Sequence, residues 1–227
     1  MARVTKLEKR FERKERRRKI NFRDQRVYFL IVCEGTKTEP QYFASFKTVL
    51  SPYTLDIETI GTAKNTLGVV ETAIQRRNTS NKKYDSVWAV FDRDSFSERN
   101  FNNAINKADA NSIKCAWSNE AFELWYILHF QYVDTGISRK DYHRYITSQL
   151  EKHLPKFRYK KNNPEMYALL RRYGNQKQAA KWAKKLEKQY TGNDFAQHNP
   201  CTRVYALVEE LNNPKIVLFP SLKPLSL

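Results

Sequence analysis

Three carboxylates stand where two apolar runs of this chain stop. Glu34 directly follows Val27-Tyr28-Phe29-Leu30-Ile31-Val32-Cys33 and leads into Gly35-Thr36-Lys37-Thr38-Glu39-Pro40. Asp92 and Asp94, in Asp92-Arg93-Asp94, close the run Val87-Trp88-Ala89-Val90-Phe91. The two aspartates are two residues apart, so an extended backbone turns both side chains to the same side. Hard cations such as Mg²⁺, with Mn²⁺ as a substitute, take carboxylate oxygens and keep positions open for water and phosphate oxygens. Buried strands that deliver such groups at their ends are one way to build a divalent-metal site, which points to metal-assisted chemistry on a phosphate. Glu34 has two available roles. It is a third ligand beside Asp92 and Asp94, or a general acid/base whose proton is retained because two aspartates crowd it. The purely structural alternative makes Glu34-Gly35 a turn and Asp94-Ser95 a helix cap.

Further acids follow a third apolar stretch. In Ser118-Asn119-Glu120-Ala121-Phe122-Glu123-Leu124-Trp125, Glu120 and Glu123 are one helical turn apart and can share a face. A first-turn glutamate also arises simply because the helix dipole favours it. Glu123 is the better candidate to assist the site. His129, six residues on, falls on a different face and reads as a packing residue. Lys37, close to Glu34, either steadies charge developing on a phosphate or is an ordinary loop lysine.

For these groups to meet, strands must bring their carboxyl ends to one edge, as open α/β sheets do. Residues 27–33, 54–60, 87–91 and 112–117 read as strands, and apolar positions at helical spacing follow each. The first of these helices is expected to start near Thr38-Glu39-Pro40 with Thr38 capping, and to include Val49-Leu50. Strands alternating with helices imply parallel pairing through right-handed crossovers, hence a doubly wound α/β sheet of Rossmann-like type. Convergence of Glu34 with Asp92 and Asp94 requires the order 2-1-3-4, which sets the first strand beside the third. Beyond Asp134 the pattern turns helical and basic, with candidate helices over 137–153, 164–190 and 201–211. The expected organisation is a basic, flexible tail over 1–26, an α/β domain over 27–134, and a basic helical extension over 135–227 packed on it.

Charge suggests the partner. Across 227 residues, 41 Lys and Arg against 24 Asp and Glu give a formal charge of +17, and the first 26 residues alone supply +8. A polyanion, foremost nucleic acid (RNA or DNA), fits that balance. Arg16-Arg17-Arg18-Lys19 could engage phosphates, although a charged tail also serves solubility. Lys177, Lys181, Lys184 and Lys188 form one stripe of a helix, with Ala179, Ala183, Leu186 and Tyr190 about opposite. Lysines so placed can position a phosphate backbone without reading sequence, or simply be solvated. The three cysteines form no CxxC pair, which argues against a zinc ribbon and for a reducing compartment. No apolar stretch is long enough to cross a bilayer, and no signal-peptide core follows the basic N-terminus, so a cytoplasmic protein without a membrane partner is expected. Neither a P-loop nor a glycine-rich dinucleotide fingerprint is present, and there are only six glycines, which ranks nucleotide binding last.

Residues 32–43 resemble the opening signature of the RloB-like family, found beside bacterial restriction and phage-defence genes. Asp92-Arg93-Asp94, the segment 118–130, and Asn199-Pro200-Cys201-Thr202 with Val204 are similar to further family motifs. The resemblance spans Val27 to about Leu211. It departs at Glu120-Ala121, where the family pattern has proline and a small residue, which weakens a family role for Glu120. The family is similar to Toprim domains. That similarity implies Glu34 as the acid/base residue, Asp92 and Asp94 as Mg²⁺ ligands, and a metal-dependent nuclease of phage defence rather than a topoisomerase. The alternative it leaves is a non-catalytic nucleic-acid-binding or adaptor protein working with an ATPase partner.

Overall fold

The computed structural model describes residues 25–93 and 97–222. Most of the N-terminal tail, including Arg16, Arg17, Arg18 and Lys19, lies outside them, as does Asp94. Gln25 and Arg26, expected in the tail, instead open the first strand.

The sheet is built from β1 (Gln25–Cys33), β2 (Val49–Leu50), β3 (Tyr53–Gly61), β4 (Ser86–Asp92), β5 (Lys114–Asn119) and β6 (Cys201–Thr202). Its order is β2-β3-β1-β4-β5-β6. The helices are α1 (Thr38–Ala44), α2 (Thr66–Thr79), α3 (Glu98–Ala110), α4 (Glu123–Ile127), α5 (Arg139–Glu151), α6 (Met166–Tyr173), α7 (Gln176–Glu187), α8 (Val204–Asn212) and α9 (Lys215–Leu218). The expected wholly parallel, four-stranded sheet is corrected to a mixed, six-stranded one. β1 pairs in parallel with β3 and β4, and β4 in parallel with β5. β2 and β6 are added antiparallel at the two edges. Both extra strands came from stretches expected to be helical. Val49-Leu50 folds back on β3 through a turn at Ser51-Pro52, where proline has no N–H to continue a helix. Cys201-Thr202 pairs with Asn119 and Ser118 before α8 begins.

Strand residues alternate between two apolar layers, as their period of two requires. Phe29, Ile31 and Cys33 enter one cluster, while Leu30 and Val32 enter the other with Val69, Val70, Phe101 and Ile105. Burial on both faces explains why β1 and β4 read as unbroken apolar runs. The first cluster continues without a break from β1, α1 and α4 into α5, α6, α7 and α8 of the basic extension. The single helix expected over 164–190 is divided at Gly174-Asn175, and Asn175 caps α7 by accepting the Gln178 amide. All three cysteines are free and buried. No described helix is long and apolar enough to cross a membrane.

Two features fix the sheet's geometry. Glu210 of α8 is buried and accepts from Ser86 Oγ (2.8 Å), Trp88 Nε1 (3.0 Å) and Lys114 Nζ (2.7 Å), tying α8 to the starts of β4 and β5. At the other end, Gly61 closes β3 where the chain after β1 passes over it. A methyl there would stand 2.5 Å from Thr36 Cα and 2.7 Å from the Gly35 carbonyl oxygen. The obstruction is backbone, so it cannot rotate aside.

Gly61→Ala is therefore expected to destabilise the protein by about 1–3 kcal/mol, read from urea midpoints, and to distort the loop that carries Glu34. Glu210→Ala leaves the buried Ser86 hydroxyl without its acceptor and Trp88 Nε1 with Ser86 Oγ alone, and is expected to cost about 1–3 kcal/mol. The cost stays below that of a fully buried ion pair because Lys114 is 40% exposed.

Candidate functional site

The C-terminal ends of β1 and β4 adjoin. The Glu34 amide donates to the Val90 carbonyl at 2.9 Å, extending the ladder one residue past β1. The Glu34 carboxylate in turn accepts the Asp92 amide, with Oε2 3.3 Å from the nitrogen. Two acids separated by 58 positions thus share one edge.

Glu39 joins them from the first turn of α1. It is buried, and its carboxylate folds back over Gly35, where any Cβ would overlap it. Its Oε2 has no hydrogen-bond partner. The helix itself starts differently from the expectation. Thr38 does not cap it; Lys37 occupies the cap position without a side-chain bond. Thr38 Oγ1 instead donates to Asn162 Oδ1 at 2.8 Å, linking α1 to the loop after α5. Asn162 has a φ of 70°, a left-handed conformation in which asparagine is enriched.

Together Glu34, Glu39 and Asp92 line a pocket of about 310 Å³ with Lys64, Arg139 and Lys161. Arg139 Nη2 lies 3.8 Å from Asp92 Oδ2. Burial, and then repulsion by Glu39, Glu123 and Glu34, hold the Asp92 carboxyl well above the usual carboxylate range, with Arg139 opposing. Burial and the charge of Glu123 likewise raise Glu39, against its own backbone hydrogen bond and the charges of Lys161 and Arg139. Glu123 is buried at the start of α4, where it accepts from Tyr159 Oη at 3.0 Å, with His143 Nε2 at 3.6 Å. Burial, and then Glu123, push the Tyr159 phenol upward, so it remains a donor. Trp125 Nε1 donates to Tyr42 Oη at 2.7 Å, fixing α4 against α1.

Residues 29–211 match a family model described as RloB-like protein. The chain belongs to the RloB-like family. No curated protein and no solved structure matches it.

In this RloB-like chain, Glu34 and Asp92 share one sheet edge, while Asp94, the third acid of the expectation, lies outside the described residues. Glu123 belongs to the same electrostatic cluster but is clamped by Tyr159 and does not line the pocket. Glu120 is half-buried beside Tyr142, also off the pocket. Lys37 is exposed and absent from the pocket wall. Ser97, rather than Asp94 or Ser95, caps α3 by accepting the Asn100 amide. His129 is structural: its Nδ1 pairs with the Trp125 carbonyl at 2.9 Å, and burial lowers its pKa to about 4. Of the lysine stripe, Lys184 is tied to Glu209 at 2.6 Å and lies over the Tyr205 ring, and none of Lys177, Lys181, Lys184 and Lys188 lines the pocket.

Among the described residues, no three His, Cys, Asp or Glu side chains are arranged to hold a metal ion. The donor chemistry nevertheless suits a hard cation. The oxygens are carboxylates, one of them lacks a partner, and burial together with mutual repulsion raises the Asp92 carboxyl. Sequence reasoning did not place Glu39, Arg139, His143, Tyr159 or Lys161 at this site. Ser138 accepts the Asp141 amide and so caps α5, which puts Arg139 and His143 one turn apart on one face. That spacing was readable, but not the strand ends it faces.

The folded protein holds the Asp92 proton more tightly than the unfolded chain does. This contribution to stability is therefore fully present below the ordinary value of 3.8 and is lost as pH rises through the higher folded value. In EDTA, Asp92→Asn is expected to be more stable than the wild type at neutral pH, with the gap closing in acid. Denaturation midpoints across that range would check it, and equal midpoints at neutral pH would contradict the crowding.

Proposed function

We propose that this chain is a metal-dependent nuclease of Toprim type that cleaves phosphodiester bonds in RNA or DNA during bacterial phage defence. The observation that carries the reading is the Glu34 carboxylate set 3.3 Å from the Asp92 amide, in one pocket with cations on its wall. Membership of the RloB-like family supports the same reaction class.

In this reading Asp92 and Asp94 would hold Mg²⁺, or Mn²⁺ in its place, which supplies Lewis acidity toward a phosphate oxygen. The chain's own groups do the rest. Glu34, half-buried at the end of β1, exchanges the proton between solvent and the reacting oxygen. Glu123, steadied by Tyr159, adds to burial and to Glu39 in raising the pKa of the Asp92 carboxyl. Lys37 is not on the pocket wall, so the reading leaves it outside the chemistry. An ATPase partner from a defence locus belongs to the alternative reading, a non-catalytic adaptor.

Cleavage assays on RNA and DNA panels with Mg²⁺ or Mn²⁺ are the test. Glu34→Gln and Asp92→Asn are each expected to lower cleavage by about 100-fold or more. Equal cleavage by all three proteins removes the assigned site. Binding without cleavage under either metal favours the adaptor reading instead.

A further inference from the structure

The sequence directed attention to the lysine stripe of α7 as the nucleic-acid contact, yet the pocket carries its own cations. Lys64 comes from the β3–α2 connection, Arg139 from the first turn of α5, and Lys161 from the loop after α5. Lys64 and Lys161 are exposed, whereas Glu39 is 6% exposed and the Asp92 side chain 13%. The cations therefore sit at the mouth and the acids inside.

Lys64 and Arg139 are held by their side chains, and Lys161 by the backbone beside it. Lys64 Nζ donates to Thr72 Oγ1 at 3.1 Å. Lys161 precedes Asn162, which Thr38 anchors, and makes no ion pair among the described residues. Arg139 lies against Asp92 at 3.8 Å, between rim and interior. By contrast, on α7 Lys184 is engaged by Glu209 and Tyr205, and Lys185 lies over the Tyr132 ring at 4.3 Å.

We propose that Lys64, Arg139 and Lys161 form the contact that grips the phosphate backbone of a nucleic acid, laid across the pocket mouth. The two lysines take phosphates on either side of the one presented to Glu34 and Asp92. Lysine meets such oxygens as a point charge and fixes the strand's position without reading bases. A ring of cations around recessed acids also sorts occupants, since a lone anion meets the carboxylates while an extended polyanion spans them. The inference rests on the reading of this pocket as the reactive site, and it moves the primary interface from α7 to the pocket rim formed by the β3–α2 connection, α5 and the loop after α5.

The test measures binding of the full chain to a short fluorescent RNA, and to DNA of the same sequence, by anisotropy in EDTA across a salt series. Proteins compared are wild type, Lys64→Ala/Lys161→Ala, Lys64→Arg/Lys161→Arg, Lys177→Ala/Lys181→Ala and Glu34→Gln. The rim alanine pair is expected to bind at least ten-fold more weakly at low salt. Its log–log salt slope should be smaller by roughly 0.7 for each lysine removed. The arginine pair should restore binding, Glu34→Gln, which removes a negative charge facing the phosphate, should bind at least as tightly as wild type, and the α7 pair should lose less. Unchanged affinity and slope for the rim alanine pair overturns the proposal, as does a larger loss in the α7 pair. If wild type cleaves with Mg²⁺ while the rim alanine pair keeps its affinity and KM, the interface fails and the nuclease reading survives. If wild type cleaves nothing while the rim alanine pair still loses affinity, the interface stands and the nuclease reading falls.

Discussion

Carboxylates drawn together out of water repel one another, and much of the architecture around this pocket accommodates that repulsion. Burial, and then the charges of Glu39, Glu123 and Glu34, raise the Asp92 carboxyl well above the usual carboxylate range. Such a cluster survives only where its charge is withheld by protonation or balanced by nearby cations and donors. This protein uses both. Tyr159 donates to Glu123, Arg139 opposes the field at Asp92, and Lys161 opposes it at Glu39.

Those balancing groups are not supplied by the parallel strands that deliver the acids. Arg139, His143, Tyr159 and Lys161 all belong to α5 and the loop behind it, within the stretch that reads as a basic appendage. The apolar cluster shared by β1, α1 and α4 with α5 to α8 is what holds that stretch against the strand ends. Packing and electrostatics therefore depend on one another. Tyr142, Ile146 and Leu150 bury the inner face of α5, and the same helix then points Arg139 at Asp92. The basic excess of the sequence is thus partly an internal counter-charge.

Glycine makes the crowding sterically feasible at two points. Gly61 lets the backbone after β1 pass directly over β3. Gly35 leaves the space that the Glu39 carboxylate occupies. Neither has a left-handed φ among the positive-φ residues, so what each position requires is the absence of a side chain.

The sequence by itself determined the parallel strands, their approximate limits, and the acids at their ends. Apolar runs buried on both faces have a strong local signature, and a carboxylate that ends such a run has its place set by the strand. The edge strands β2 and β6 escaped because two residues carry no period, and their pairing is decided by distant partners. Glu39 was visible as a residue but not as part of the site, since its position depends on a fold back over Gly35. Tertiary structure alone decided that α5 faces the acids and that the α7 stripe does not line their pocket. Periodicity says which residues share a helix face, whereas only packing says what that face meets.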